Sequence, residues 1–78
     1  MYYCYIIYSA ARDKFYVGST SNLDDRVKKH NSGFTGSHLD WEIKWSQAFD
    51  QKTNASAREK QIKAWKSRKM IEKLIHKD

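Results

Sequence analysis

Proline is absent from these 78 residues, cysteine occurs once and glycine only three times. With one cysteine, Cys4, no intrachain disulfide can form, and the Cys and His spacing of a zinc site is missing. A lone thiol fits a reducing, intracellular compartment, cytoplasmic in the simplest case. No apolar stretch approaches the ~20 residues that a membrane span needs. The N-terminus lacks a basic segment followed by an apolar one and a cleavage site, so the chain reads as mature and soluble. Repeats and low-complexity linkers are also lacking, which leaves one domain over residues 1–78. A domain near this size buries only about 60% of its unfolded surface, so no separate recognition module fits.

What the chain does carry is positive charge, unevenly spread. Fifteen Lys and Arg stand against nine Asp and Glu, a formal net charge of +6. Through residue 50 the two signs cancel, and the whole excess falls in the last third, from Lys52 to Lys77. Such a stripe attracts polyanions and makes association salt-dependent. The plainer reading is a solvated basic helix face. Lys29, Arg58, Lys63 and Lys66 are the candidates for nucleic-acid contacts.

Residues Tyr2 to Tyr8 are aromatic and β-branched, which predicts a strand, and Lys14 to Ser19 supplies its partner, closed by Gly18. A four-residue loop, Ser9 to Arg12, would set Tyr8 against Asp13 and Tyr5 directly opposite Tyr16. Opposed residues share a face, with Cβ atoms roughly 4.5 to 5.5 Å apart. Ser21-Asn22-Leu23-Asp24 resembles a helix start, a hydroxyl followed by an acid, and the helix should run to about Asn31. Its apolar Leu23 and Val27 would face the sheet, while Arg26 and His30, one turn apart, share a neighbouring face. Asn31-Ser32-Gly33 ends it, and Phe34 to Asp40 reads as a loop containing Gly36. Alternate apolar residues from Trp41 to Phe49 predict a third strand with one buried face. Thr53 or Asn54 should cap a helix from Ala55 to about Lys66, and Ser67 a short last helix carrying Met70, Ile71, Leu74 and Ile75. The expected fold is α+β, a three-stranded antiparallel sheet flanked by helices in the order ββαβαα.

Five positions stand out in that frame. Tyr16 follows Tyr5 by eleven residues, Arg26 comes ten later, His30 follows one helical turn on, and Glu59 sits on the second long helix. Hydrolysis of a phosphodiester needs a positioned water, a proton acceptor, and stabilisation of a transition state that carries more charge. Glu59 can hold one hard divalent cation, Mg²⁺ with Mn²⁺ able to substitute, because Mg²⁺ keeps several waters and takes one or two carboxylates. Arg26 offers a charged planar fork of donors that fits phosphate oxygens. His30, with an ordinary pKa near 6.5, can relay or accept a proton.

These residues carry a resemblance. Tyr3-Cys4-Tyr5 and Tyr16-Val17-Gly18 stand where the GIY-YIG nuclease domain has its two signature triplets, and Arg26, His30 and Glu59 follow in that family's order. The stretch Ala57 to Lys66 is similar to small stand-alone, excinuclease-catalytic-subunit-like members. The resemblance covers nearly the whole chain. It implies an Mg²⁺-dependent endonuclease acting on DNA, branched or damaged duplexes included; a protein partner supplying specificity is a separate expectation, drawn from the absence of a second domain. It also implies that Tyr5 orients or deprotonates the water, which requires positive charge from Arg26 and the metal to lower a phenol pKa near 10. Two departures mark the chain. Tyr3 and Cys4 replace a glycine and an isoleucine of the first triplet, and no asparagine follows Asn54, where many relatives have one after the metal-binding glutamate.

Each residue taken singly also has an ordinary reading. The tyrosines could be strand residues, Arg26 an exposed helix arginine, His30 a partner of the helix dipole, and Glu59 an i,i+4 partner of Lys63. His38 and His76 have no partner pattern and read as surface residues. Trp41, Trp45 and Trp65 are core residues before they are stacking platforms. Two other functions stand beside the nuclease: a nucleic-acid-binding module without turnover, and a subunit of a larger assembly.

Overall fold

The computed structural model describes residues 1–32 and 40–76, apart from the side chains of His30 and Ser32. The expected loop from Phe34, with Gly36 and His38, therefore lies outside the described residues up to Asp40. Six elements follow the anticipated order: β1 (Tyr2–Ser9), β2 (Lys14–Thr20), α1 (Leu23–Ser32), β3 (Trp41–Phe49), α2 (Lys52–Trp65) and α3 (Arg68–Ile75). β1 is the central strand, in the order β2-β1-β3, and both pairings are antiparallel. Among the described residues no helix is long and apolar enough to cross a membrane.

A central strand covered on both faces explains why β1 shows little polar alternation. Cys4 and Ile6 point to one side and form a core with Val17 and Ile62, against which Trp45, Trp65 and, from α3, Ile71, Leu74 and Ile75 pack. Tyr5 and Ile7 are equally buried but point the other way, where α1 packs on β1 and β3. Trp45 and Trp65 thus serve the core, whereas Trp41 lies under the Arg12 guanidinium.

The hairpin register differs from the sequence expectation. Ser9 pairs with Lys14, Ile7 with Tyr16 and Tyr5 with Gly18, so Tyr5 is not opposite Tyr16 and Tyr8 is not opposite Asp13. The turn is residues 10–13, and Asp13 adopts the left-handed conformation with φ 52°. Ser9 stays in the strand because its buried hydroxyl has partners. It donates to Asp40 Oδ1 at 2.6 Å and accepts from the Arg12 backbone N–H at 3.3 Å, while the Ala11 N–H donates to Asp40 Oδ2 at 2.8 Å. Tyr8 still reaches Asp13 across the turn, donating to Oδ1 at 2.6 Å, and Arg68 Nη2 donates to the same oxygen at 2.6 Å, tying α3 to the hairpin. Those two hydrogen bonds, Arg68's the stronger, hold the Asp13 carboxyl at a pKa of about 2. Because the slip is by two residues and side chains alternate with period two, Tyr5 and Tyr16 keep a common face.

Gly18 lies inside β2 rather than closing it. Its φ is negative, and the need for glycine is one of space. A Cβ there would stand 2.5 Å from Tyr5 Oη, 2.8 Å from Tyr5 Cζ and 3.2 Å from Tyr16 Cε1. Gly18→Ala should therefore push the Tyr5 ring aside and cost about 1–3 kcal/mol in urea unfolding, as overpacking does. An unchanged midpoint with unshifted Tyr5 ring resonances would contradict this.

Other boundaries moved for local reasons. The cap of α1 is Asn22, not Ser21: Asn22 Oδ1 accepts from the Asp25 N–H at 3.1 Å and its carbonyl from the Arg26 N–H at 3.1 Å. The helix α2 begins at Lys52, and Gln51 at its N-cap makes no side-chain bond, so neither Thr53 nor Asn54 caps it. Lys52 and Thr53 show no apolar periodicity, which is why counting apolar positions starts the helix late. Ser67 does cap α3, accepting from the Met70 N–H. In β3 a bulge between the partners of Ile6 and Ile7 sets Trp45 opposite Ile6 but Ile43 opposite Ile7. Ile43 therefore leaves the face that strict alternation would give it and is 40% exposed. Asn31, in the last turn of α1, fixes that helix to β3: Nδ2 donates to the Trp41 carbonyl at 3.2 Å and Oδ1 accepts from the Trp41 N–H at 2.9 Å.

Candidate nuclease site

The two tyrosines sit diagonally on neighbouring strands, ring centres 6.4 Å apart and planes inclined by 29°. Tyr5 is 1% exposed and Tyr16 40%, so the Tyr5 ring is enclosed while Tyr16 stands partly in solvent. Gly18 provides the gap over which the Tyr5 ring lies. Burial raises the Tyr5 pKa to about 12, with Tyr16, Glu59 and Cys4 adding to the rise and the Arg26 charge opposing it. Arg26 lowers this pKa as the sequence predicts, but desolvation is larger than the pull of one guanidinium, so a lowered phenol needs the further charge of a metal.

Glu59 reaches the sheet from α2. Its Oε1 accepts from Ser19 Oγ at 2.7 Å and its Oε2 from Lys63 Nζ at 2.6 Å. Burial works to raise its pKa, but the hydrogen bonds from Lys63 and Ser19 and the charges of Lys63 and Arg26 outweigh burial and leave it below the usual carboxylate value. Arg26 is therefore close enough to act on both Tyr5 and Glu59. It also lines a cleft of about 190 Å³ together with Tyr2, Ser19, Thr20, Ser21 and Lys52. Ser19 belongs to both the cleft and the Glu59 carboxylate. Its partner is 40 residues away, so sequence reading had no signal for it.

Tyr5, Tyr16, Arg26 and Glu59 come together at β2, while the His30 side chain lies outside the described residues. Of the four basic candidates, Lys63 contacts Glu59 and places Nζ 6.0 Å from the Tyr16 ring centre. Arg58 is held between Trp45 and Trp65, its guanidinium carbon 5.7 and 5.9 Å from the two ring centres, and it bonds Gln61. Lys29 and Lys66 are exposed on α1 and just beyond α2. Cys4 is fully buried and its thiol is pushed up to about 11, first by burial and then by Glu59, so it is inert near neutral pH.

A divalent cation fits this donor set in one way. Among the described residues no three His, Cys, Asp or Glu side chains gather into a metal site. Glu59 alone offers an ionised carboxylate, and each oxygen, already bonded once, keeps a further lone pair. One carboxylate plus retained water is coordination that Mg²⁺ accepts and zinc does not.

A catalytic nuclease domain is the class that this sheet, these helices and the ordered tyrosine, arginine and glutamate positions define. The model of the GIY-YIG catalytic domain matches residues 1–73, and the chain belongs to that family. It is 33% identical to a UPF0213 protein of Natronomonas pharaonis, over 95% of this chain and 89% of that one. It is also similar to the solution NMR structure of a UPF0213 protein from Bacillus halodurans, with a TM-score of 0.62 and 31% identity, covering 96% of this chain and 83% of the other.

Proposed function

We propose that the protein is an endonuclease that hydrolyses DNA phosphodiester bonds with one divalent cation, Mg²⁺ or Mn²⁺, held by Glu59. The observation that carries this reading is Glu59 anchored by Ser19 at a polar cleft that Ser19 and Arg26 both line, on the sheet that holds the Tyr5 and Tyr16 pair. When bound, the cation would supply charge to stabilise the departing oxygen. Arg26 grips the non-bridging oxygens of the scissile phosphate in the cleft, where its charge is already directed. Tyr5 orients the attacking water through its phenol, and Tyr16 with His30 completes the hydrogen-bond network for the proton. Ser19 fixes the Glu59 carboxylate. Lys29, Arg58, Lys63 and Lys66 line the DNA path, Arg58 through the aromatic pair that holds it. A partner protein supplies specificity for branched or damaged DNA.

Supercoiled plasmid should be nicked in Mg²⁺ and left intact in EDTA. Glu59→Ala should slow nicking at least about 100-fold, the scale of losing one charge-stabilising element at a reacting phosphate. The Glu59–Lys63 pair favours a second reading, a DNA-binding module in which the carboxylate is merely a helix-surface partner. Salt-sensitive DNA binding without nicking in any divalent metal, unchanged in Glu59→Ala, would establish that reading instead.

A further inference from the structure

We infer that Lys63 is a built-in counter-ion of Glu59 that competes with the divalent cation and, once displaced, turns to the DNA phosphate, making cation and DNA bind cooperatively. This rests on the endonuclease reading above and concerns how its site is loaded.

Glu59 is held from two sides by partners of different kinds. Ser19 is neutral and part-buried, so its hydrogen bond to Oε1 does not oppose an incoming cation. Lys63 occupies Oε2 with a full positive charge, and its side chain is 52% exposed against 21% for Glu59. A cation arriving at the carboxylate meets that ammonium within a few ångströms. Like charges at such a distance repel strongly in a partly buried site, so one must leave. The pair is built to yield. The lysine is the exposed end of this i,i+4 pair and its four-carbon stem turns freely, so the ammonium can leave while the carboxylate stays in place.

The displaced ammonium has a destination. It already stands over the Tyr16 ring, which is partly in solvent on the sheet face that carries Tyr5. Arg26 and Lys63 both act on the Glu59 carboxylate, so a DNA phosphate held by Arg26 would stand beside the same group the ammonium leaves. Lys63 thus neutralises Glu59 when the site is empty of metal and neutralises phosphate when metal is present. Linkage makes the effect reciprocal: if cation binding frees a phosphate-binding group, DNA binding raises cation affinity by the same factor.

Mn²⁺ binding to the full chain without DNA, followed by electron paramagnetic resonance, tests the competition. Lys63→Met, which keeps length and helix propensity, should bind Mn²⁺ about tenfold more tightly than wild type, and Lys63→Arg should match wild type. Affinity for a short DNA duplex should rise on adding Ca²⁺ in the wild type, and rise less in Lys63→Met. Equal or weaker Mn²⁺ binding in a folded Lys63→Met would overturn the inference, since Lys63 would then only organise the carboxylate. A different failure would point elsewhere: Mn²⁺ binding that is the same in Glu59→Ala as in wild type would remove the cation site, and with it the endonuclease reading.

Discussion

Arg26→Ala should slow single-turnover DNA cleavage by about 10³-fold at saturating Mg²⁺ while leaving the thermal midpoint nearly unchanged. The size follows from the site. Arg26 is half-buried, lines the polar cleft and acts on both Tyr5 and Glu59, so no second guanidinium stands ready there. The other arginines are engaged elsewhere: Arg58 between Trp45 and Trp65, Arg12 over Trp41, and Arg68 with Asp13 and Glu72. Arg26→Lys should recover only about tenfold of the loss, because an ammonium restores charge but not the two-pronged fit to phosphate oxygens. The fold should survive, since the apolar contacts of α1 are made by its other residues and its end is pinned through Asn31. A loss below tenfold in folded Arg26→Ala would remove this residue from the reaction.

The second large effect is on stability in alkali. Tyr5 is raised from 10.0 to about 12 and Cys4 from 9.0 to about 11, both chiefly by burial. Each group holds its proton more tightly in the folded chain than in the unfolded one. Their stabilising contribution is therefore complete below pH 9 and is lost as pH rises through about 11 and 12. Each pKa unit corresponds to roughly 1.4 kcal/mol, so each group contributes on the order of 3 kcal/mol across that window. Against a domain stability of about 5–15 kcal/mol, that is enough to bring the chain near unfolding. Urea midpoints measured from pH 8 to 11.5 should stay level up to about pH 9 and then fall, and Cys4→Ala should remove the lower part of the fall. A flat profile would mean that neither group is as enclosed as described. For catalysis the same numbers say that Tyr5 is a neutral phenol at physiological pH. Its oxygen can accept and pass a hydrogen bond, but a phenolate awaits charge beyond Arg26.

Much of the fold could be read from local pattern because its signals are local. Six aromatic or β-branched residues among the seven from Tyr2 to Tyr8, before a polar turn, mark β1, and Ser67 ahead of an apolar run marks α3. The hairpin register was harder. It depends on Ser9 staying in the strand, and Ser9 stays because Asp40, 31 residues on, accepts its proton. Tyr5 and Tyr16 nevertheless remain on one face, since a slip of two conserves parity where a slip of one would have separated them. The order of site residues was legible from spacing. Their partners were less so: Lys63 was visible as a helical neighbour of Glu59, whereas Ser19 meets that carboxylate only through tertiary folding. The burial that outweighs Arg26 at Tyr5 was hidden for the same reason, because how far a strand residue is enclosed depends on a helix that packs over it.

The carboxamide of Asn31 on Trp41 has a wider consequence. It has the same donor and acceptor as a peptide unit, and it fills the outward-facing main-chain groups at one end of an edge strand, where a foreign strand would otherwise dock. In a chain whose outer strand carries Trp41, Ile43 and Trp45, that amide leaves fewer open main-chain groups with which another strand could pair.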